Sequence, residues 1–499
     1  VNRKKKLALN TVTSLLLQIT TVVCGFILPL LILRQFGSEV NGLVNSIAQF
    51  LAIISFLELG VGAVIQSALY KPLADKDNAE ISKIITSGGK FFRWIAYALT
   101  GYVVLLICFY PRLINANFGW LYTALLIVAI SINSFAGYYF GIINCLLLNS
   151  DQRGYIQYTT RILTLIANTV ACYILIKLGS SIQMVKLTTS LIFLIHPLVW
   201  RIYVNRHYQL NRRIKYEGEP IKQKWNGIAQ HVAHIVLTDT GTVVLTFLST
   251  LGNVSIYSVY YMVIAGVKNL LMSSIGGMQA LMGEMLARKE TENLNRFFAM
   301  VEFAIHTGVT YLFTCTGILI LPFVSIYTKG ITDENYLQPL FAVLFVSAHA
   351  GHCLRLPYNM AILAGGHYKQ TQSNYIIAAI LNVIISVVGV YLWGLVGVAI
   401  GTLVAMVYQT VWMAIYDSKN LIYWPIRNFV KQCLVDALNV GLIILATRWI
   451  TLGEVSYLSW VIMSIKVTLI ATAIVSAVSF IFYHRQLTSV VGVLAKKLR

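Results

Sequence analysis

Residues 34–77 read RQFGSEVNGLVNSIAQFLAIISFLELGVGAVIQSALYKPLADKD. A short polar turn at Gly37 and Ser38 leads into an apolar run over 40–66, long enough for one membrane-crossing helix. Glu58 interrupts that run, with Gly60 and Gly62 close behind. The chain then reaches a charged loop carrying Lys71, Pro72, Asp75, Lys76 and Asp77. A carboxylate at the centre of a membrane helix costs about 2.5–3.5 kcal/mol even on the gentler scales. Glu58 is therefore expected to face protein or water, not lipid.

The composition agrees with a membrane location along the whole chain. Of 499 residues, 58% are hydrophobic and 11% charged, and the mean hydropathy is +0.73. Soluble domains carry about 25% charged residues. The apolar runs are too long and too continuous for barrel strands, so the expected fold class is an all-α integral membrane protein. Fourteen spans are expected, at about 7–33, 40–66, 88–109, 119–147, 159–179, 183–204, 226–250, 254–282, 299–321, 338–363, 372–392, 394–416, 430–450 and 458–482. The first run follows Arg3-Lys4-Lys5-Lys6 as a signal peptide would. It continues to Leu33 without a small-x-small site, so it is read as an uncleaved span.

With the N-terminus inside, 29 of the 38 Lys and Arg residues fall on the cytoplasmic side, which predicts both termini cytoplasmic. The same asymmetry explains the net charge of +20 without nucleic acid. Seven cysteines lie in or at the ends of apolar runs, none in a CxxC or Cys/His ligand spacing. Neither disulfides nor a metal site is expected.

A shift of 215 residues lays the first six spans on spans seven to twelve. Gly37 meets Gly252, Gly62 meets Gly277, Asn78 meets Asn293 and Asn144 meets Asn359. Two six-helix repeats of the same orientation are expected, a relation that places substrate sites at their interface in many transporters. The domain reading is 1–210 and 226–420 for the repeats, 211–225 for a basic linker, and 421–499 for two further spans and a basic tail.

Polar residues inside the spans are the candidates for function. Asn10, Ser14, Gln18 and Thr21 lie three or four apart on one face of the first span; Gln230, His234, Thr238 and Thr242 do so on the seventh. They either line a wet cavity or bond neighbouring helices. The ionisable residues within spans are Glu58, Asp239, Lys268, Glu302, Arg355, Asp436 and Lys466. Asp239 and Lys268 share a depth on adjacent spans and either pair or handle substrate. Arg355 suits the oxygens of an anionic head group, or pairs or snorkels within the second half. His231 and His234 can titrate near neutral pH or be structural. Glu302 and Asp436 are expected near the cytoplasmic ends, in reach of water.

No GxxxxGK[ST] loop or HExxH motif occurs, and the outer loops are short. No catalytic residue, metal or cofactor is assigned, and the chain is not expected to be an enzyme.

The segments LRQFGSEVNGL and FLELGVGAVIQSALY, followed by KPLADKD, resemble the polysaccharide and teichoic-acid flippase family of the MATE-like exporter superfamily. Glu58-Leu59-Gly60-Val61-Gly62 is similar to the family's acidic residue followed by Leu-Gly-x-Gly. The resemblance implies transport of an undecaprenyl-diphosphate-linked oligosaccharide from the inner to the outer leaflet of a bacterial plasma membrane by alternating access. It implies a cavity lined by the first, second, seventh and eighth spans. Lys268, with Arg355, becomes the candidate contact for the diphosphate, and Glu58 and Asp239 the candidates for coupling or gating. Implied partners are the lipid-linked oligosaccharide, the bilayer and polysaccharide polymerase machinery. A MATE-like drug or cation exporter and a membrane polysaccharide polymerase or transferase are the alternatives.

Overall fold

The computed structural model describes residues 3–58, 61–114, 118–212, 214, 228–273, 276–422 and 424–498; the side chains of 3–5, 7–8, 63, 228–235, 238–239, 273, 276–277, 280 and 489–498 lie outside the description. Among the described residues every regular element is a helix, and twelve helices are long and apolar enough to cross a membrane. Leucine, isoleucine and valine side chains stand exposed along them, as at Leu15, Val104, Leu163, Leu392, Leu445 and Leu469. In a membrane such side chains meet acyl chains instead of water, so their exposure carries no hydrophobic penalty.

The chain divides into two compact units, residues 1–235 with 249–255 and residues 236–248 with 256–499. Unit 1 contains α1 (Arg3–Ala52), α2 (Val61–Asp75), α3 (Asn78–Leu113), α4 (Trp120–Ala136), α5 (Ile142–Ser150), α6 (Gly154–Lys177), α7 (Ile182–Phe193) and α8 (Ile195–His207). The expected turn is present inside α1, where Gly37 takes φ 83° and ψ 175°. That left-handed backbone suits glycine because a Cβ would be strained there. Asp77 starts α3 by accepting from the amides of Ala79 and Glu80 at 3.0 and 2.9 Å, which satisfies two donors that a helix start leaves unpaired.

The second span departs from the continuous helix expected over 40–66. The α-helix ends at Ala52, and Ile53–Glu58 winds more tightly as a 3-10 helix before α2 begins at Val61. The first span begins in contact with the turn before α6. Lys6 Nζ lies 3.1 Å from Asp151 Oδ1, Arg153 Nε lies 2.6 Å from Asp151 Oδ2, and the Tyr208 hydroxyl donates to Asp151 Oδ2 at 2.5 Å. Burial and the Asp151 carboxylate push the Tyr208 hydroxyl above its ordinary pKa.

Unit 2 contains most of α9 (Ile228–Leu248) and of α10 (Leu251–Ser273). It continues with α11 (Gly276–Ala287), α12 (Thr291–Tyr327), α13 (Pro339–Leu354), α14 (Leu356–Ala364), α15 (Tyr368–Trp393), α16 (Leu395–Asn420), α17 (Ile426–Thr447) and α18 (Tyr457–Leu498). α12 has 37 residues, about 55 Å at 1.5 Å per residue, so it outruns a hydrocarbon core of about 30 Å. α17 and α18 pack on it through Cys315, Leu319, Ile443, Met463, Val467, Ala471 and Val475.

The tight connection expected at Trp393–Gly394 is present: Gly394 takes φ 56° and joins α15 to α16. The two helices then touch backbone to backbone. A Cβ on Gly397 would sit 2.0 Å from the carbonyl carbon of Gly389. Small residues allow this approach, on which helix association in lipid depends. Gly397→Val is expected to lower stability by about 1–3 kcal/mol through overpacking. Gly101→Ala, with nothing within 4 Å of the added carbon, is expected to leave it unchanged or raise it. Thermal unfolding of the purified variants in detergent checks the contrast.

Candidate functional site

Glu58 ends the 3-10 segment, and its partner comes from a second irregular turn. Tyr138 belongs to Gly137–Gly141, a π-helical turn between α4 and α5. Its hydroxyl donates to Glu58 Oε1 at 2.6 Å. The widened turn has a local reason: it begins and ends on glycine, so no Cβ opposes the altered winding there. Helix interruptions of both kinds recur at functional positions. The residue after Tyr138 belongs to an aromatic group: Tyr139 stacks on Phe135 at 5.5 Å and meets Tyr97 edge-on at 6.1 Å. The half-buried carboxylate is thus hydrogen-bonded inside unit 1. A cavity of about 440 Å³ in the same unit, lined by α3 and α4 side chains such as Leu99, Val103, Ile132 and Phe135, is almost wholly apolar. It suits hydrocarbon and offers no charged group.

In unit 2 the candidate cations Lys268 and Arg355 stand in one neighbourhood, since the charges of both act on Cys353, and that of Lys268 also acts on His349. Arg355 sits at the joint between α13 and α14, where Pro357 opens the second segment. It is 3% exposed and donates from Nη1 to Gln409 Oε1. Its Nε, the Gln409 Nε2 and the His349 Nε2 have no hydrogen-bond partner among the described residues. A polar group arriving here would find donors waiting.

On the first span, Asn10 is bonded at both ends of its amide. Its Oδ1 accepts from the Tyr155 amide at 2.7 Å, and its Nδ2 donates to the Gln152 carbonyl at 2.9 Å. Gln18 is half-buried, and Ser14 and Thr21 are exposed. On the seventh span Thr242 is buried. The side chains of Gln230, His231, His234, Thr238 and Asp239 lie outside the described residues, as does any pairing of Asp239 with Lys268.

Glu302 and Asp436 are corrected by the structure. Expected in reach of water, they are 3% and 7% exposed. The reason is that α12 begins at Thr291, earlier than the span expected from 299, and that Phe298, Trp424 and Phe429 cover this level. Glu302 accepts from the Tyr358 hydroxyl at 2.7 Å and from Trp424 Nε1 at 2.9 Å. His306 Nδ1 lies 2.7 Å from Asp436 Oδ2, and its Nε2 lies 3.2 Å from the Tyr358 hydroxyl. Gln432 Nε2 donates to Asp436 Oδ1 at 3.2 Å. Lys466 is exposed on α18.

Sequence reading passed over Tyr138, His306, Tyr358 and Asp417. Asp417 is 1% exposed, and neither carboxylate oxygen has a partner among the described residues. The spacing of Glu302 and His306, four apart on one helix, carried a usable signal. Nothing in the sequence pointed to Tyr138. Tyr138→Phe is expected to cost about 1.5–3 kcal/mol if Glu58 is ionised, the range for a hydrogen bond to a charged group. Glu58→Gln keeps an acceptor and is expected to cost less; thermal unfolding of both variants in detergent compares them.

No family model matches the sequence, and no curated protein matches it. Solved structures do match. The lipid II flippase MurJ in an inward closed conformation is similar, with TM-score 0.69 at 15% identity over 96% of this chain and 99% of that one. An inward-facing multidrug resistance MATE family transporter of the MOP superfamily gives 0.58 at 14% identity, over 80% of this chain and 94% of that one. An outward-facing MATE family transporter gives 0.52 at 13% identity, over 84% and 96%. Likeness at these identities is likeness of fold. The chain is a multi-pass membrane protein with the fold that MurJ and the MATE transporters share.

Proposed function

We propose that this chain is a flippase that carries an undecaprenyl-diphosphate-linked oligosaccharide from the inner to the outer leaflet of a bacterial plasma membrane, by alternating access. The observation that carries the reading is Arg355, a guanidinium 3% exposed whose Nε has no hydrogen-bond partner among the described residues, with Lys268 near enough for both charges to be felt at Cys353. A guanidinium binds phosphate oxygens in a fork, so a diphosphate suits Arg355. The fold shared with a lipid II flippase over 96% of the chain supports the same class of cargo. Glu58 and Asp239 act in coupling or gating, and the polar faces of the first and seventh spans accommodate sugars. Energy comes from an ion gradient or from consumption of the product by polymerase machinery.

Fourteen crossings, with both termini cytoplasmic, belong to this reading. Contact between Lys6 and Asp151 requires an even number of crossings between them. Leu9–Glu58, Asn78–Leu113 and Trp120–Ser150 intervene, so the count is even when Leu9–Glu58 crosses twice, turning at Gly37. α9, with 21 residues, adds the fourteenth. Two parallel repeats are supported by helix bounds that agree under the 215-residue shift: α6 (Gly154–Lys177) falls on 369–392, within one residue of α15 (Tyr368–Trp393) at either end.

A multidrug exporter is the second reading, favoured by the buried carboxylates Glu302, Asp417 and Asp436 in unit 2, which would suit a cationic cargo.

Cells lacking the chain are expected to accumulate the lipid-linked oligosaccharide on the inner leaflet. In vesicles, Lys268→Ala is expected to slow its translocation about tenfold or more, the effect of losing one charge-assisted contact. Undiminished export in the deletion, or equal rates for wild type and Lys268→Ala, would overturn the respective assignments.

A further inference from the structure

Asp436, His306, Tyr358 and Glu302 form one unbroken chain of polar contacts across α17, α12 and α14, at 2.7, 3.2 and 2.7 Å. His306 and Tyr358 are 0% and 1% exposed. The outer oxygens are held as well, by Trp424 Nε1 on Glu302 and Gln432 Nε2 on Asp436. The further titratable groups facing this chain are Cys433 on α17 and Tyr483 on α18. Lys431 lies 4.6 Å over the Tyr483 ring and donates to the Phe482 carbonyl.

Counting protons decides what the chain can hold. Three contacts join four groups, and each contact needs one proton. With both carboxylates ionised and His306 neutral, only two protons are present, one on the imidazole and one on the phenol. One contact then sets lone pair against lone pair, which is costly for buried groups. One additional proton completes all three bonds, and it can be carried in two ways. As imidazolium, His306 donates to both Asp436 and Tyr358, and Tyr358 donates to Glu302. As carboxylic acid, Glu302 donates to Tyr358, Tyr358 donates to His306 Nε2, and His306 Nδ1 still donates to Asp436. The four groups carry one net negative charge in either form. The forms interchange when the Glu302 proton moves to the Tyr358 oxygen while the Tyr358 proton moves to His306 Nε2. No other reactant is needed.

We propose that these four residues are a proton-binding relay that holds one transferable proton inside unit 2, and that this proton is what transport by the chain is coupled to. The second half rests on the transport reading above; the first does not. The relay joins α14, the shorter arm of a span divided at Arg355, through α12 to α17, so the position of the proton decides which of two α12 groups, Glu302 or His306, accepts from the Tyr358 hydroxyl.

The test uses the full chain in phosphatidylethanolamine and phosphatidylglycerol vesicles. Infrared difference spectra over about pH 5 to 8, the range in which histidine ordinarily changes charge, follow the protonated carboxyl and the imidazole together. Wild type is expected to show both signals titrating with a single midpoint, and Glu302→Gln to lose the carboxyl signal. Tyr358→Phe removes one hydroxyl and is expected to split the single midpoint into two. Should that variant fail to fold, Trp424→Phe serves. It removes a donor that favours the ionised form of Glu302, so the midpoint should move up. Signals that do not titrate, or a single midpoint retained in Tyr358→Phe, would overturn the relay. For coupling, the translocation rate of the lipid-linked oligosaccharide is measured against pH. Wild type is expected to approach a tenfold change per pH unit on one limb, and Tyr358→Phe less than about twofold; superimposable profiles would overturn coupling while leaving the infrared result intact.

Discussion

Hydrocarbon supplies no hydrogen bonds, so a polar group that this chain carries into the membrane has to face protein or water and not lipid. The hydroxyls meet the demand cheaply. Thr164, Thr246, Thr410 and Thr447 each donate back to a carbonyl four residues earlier on their own helix. Ser190 reaches across to the Ala129 carbonyl on α4. These bonds keep a helix amphipathic in sequence while leaving it apolar to its surroundings. Charged groups cannot be accommodated this way, because a lone pair on the same helix does not balance a full charge.

The two units solve that harder problem differently. In unit 1 a single carboxylate is met by a single phenol, and both sit where regular winding has been given up, one turn tightened and one widened. In unit 2 two carboxylates share a network with a histidine, a tyrosine, a glutamine and an indole, drawn from α12, α14, α17 and the segment just before α17. The first arrangement depends on backbone distortion, the second on side-chain number. A distorted turn has few ways to re-form its bonds when it moves. A network with spare protons has several, which makes unit 2 the better place to store a change of charge.

The architecture was largely readable because lipid imposes length and polarity directly on the sequence. Apolar runs became helices, Gly37 became a turn, and Trp393–Gly394 became the joint of a hairpin. What escaped was local winding: a pattern of apolar residues looks alike in a 3-10, an α or a π turn, so Ile53–Glu58 and Gly137–Gly141 left no trace. The site was less legible still. Glu302, Tyr358 and Asp436 lie far apart in sequence and meet only through packing, and helices that overrun the bilayer bury groups that span length alone places near water.

The contact of Lys6 with Asp151, 145 residues apart, has a consequence for how the protein is made. At about 5–20 residues per second, roughly 7–30 seconds separate the synthesis of the two. Throughout that interval the first helix has crossed or begun to cross the membrane while its anchor does not exist. The basic residues ahead of it must then be held by something outside the chain, for which anionic lipid head groups are chemically suited. Closure of this span onto Asp151 in that sense has to wait until the intervening segments Leu9–Glu58, Asn78–Leu113 and Trp120–Ser150 have been made and inserted.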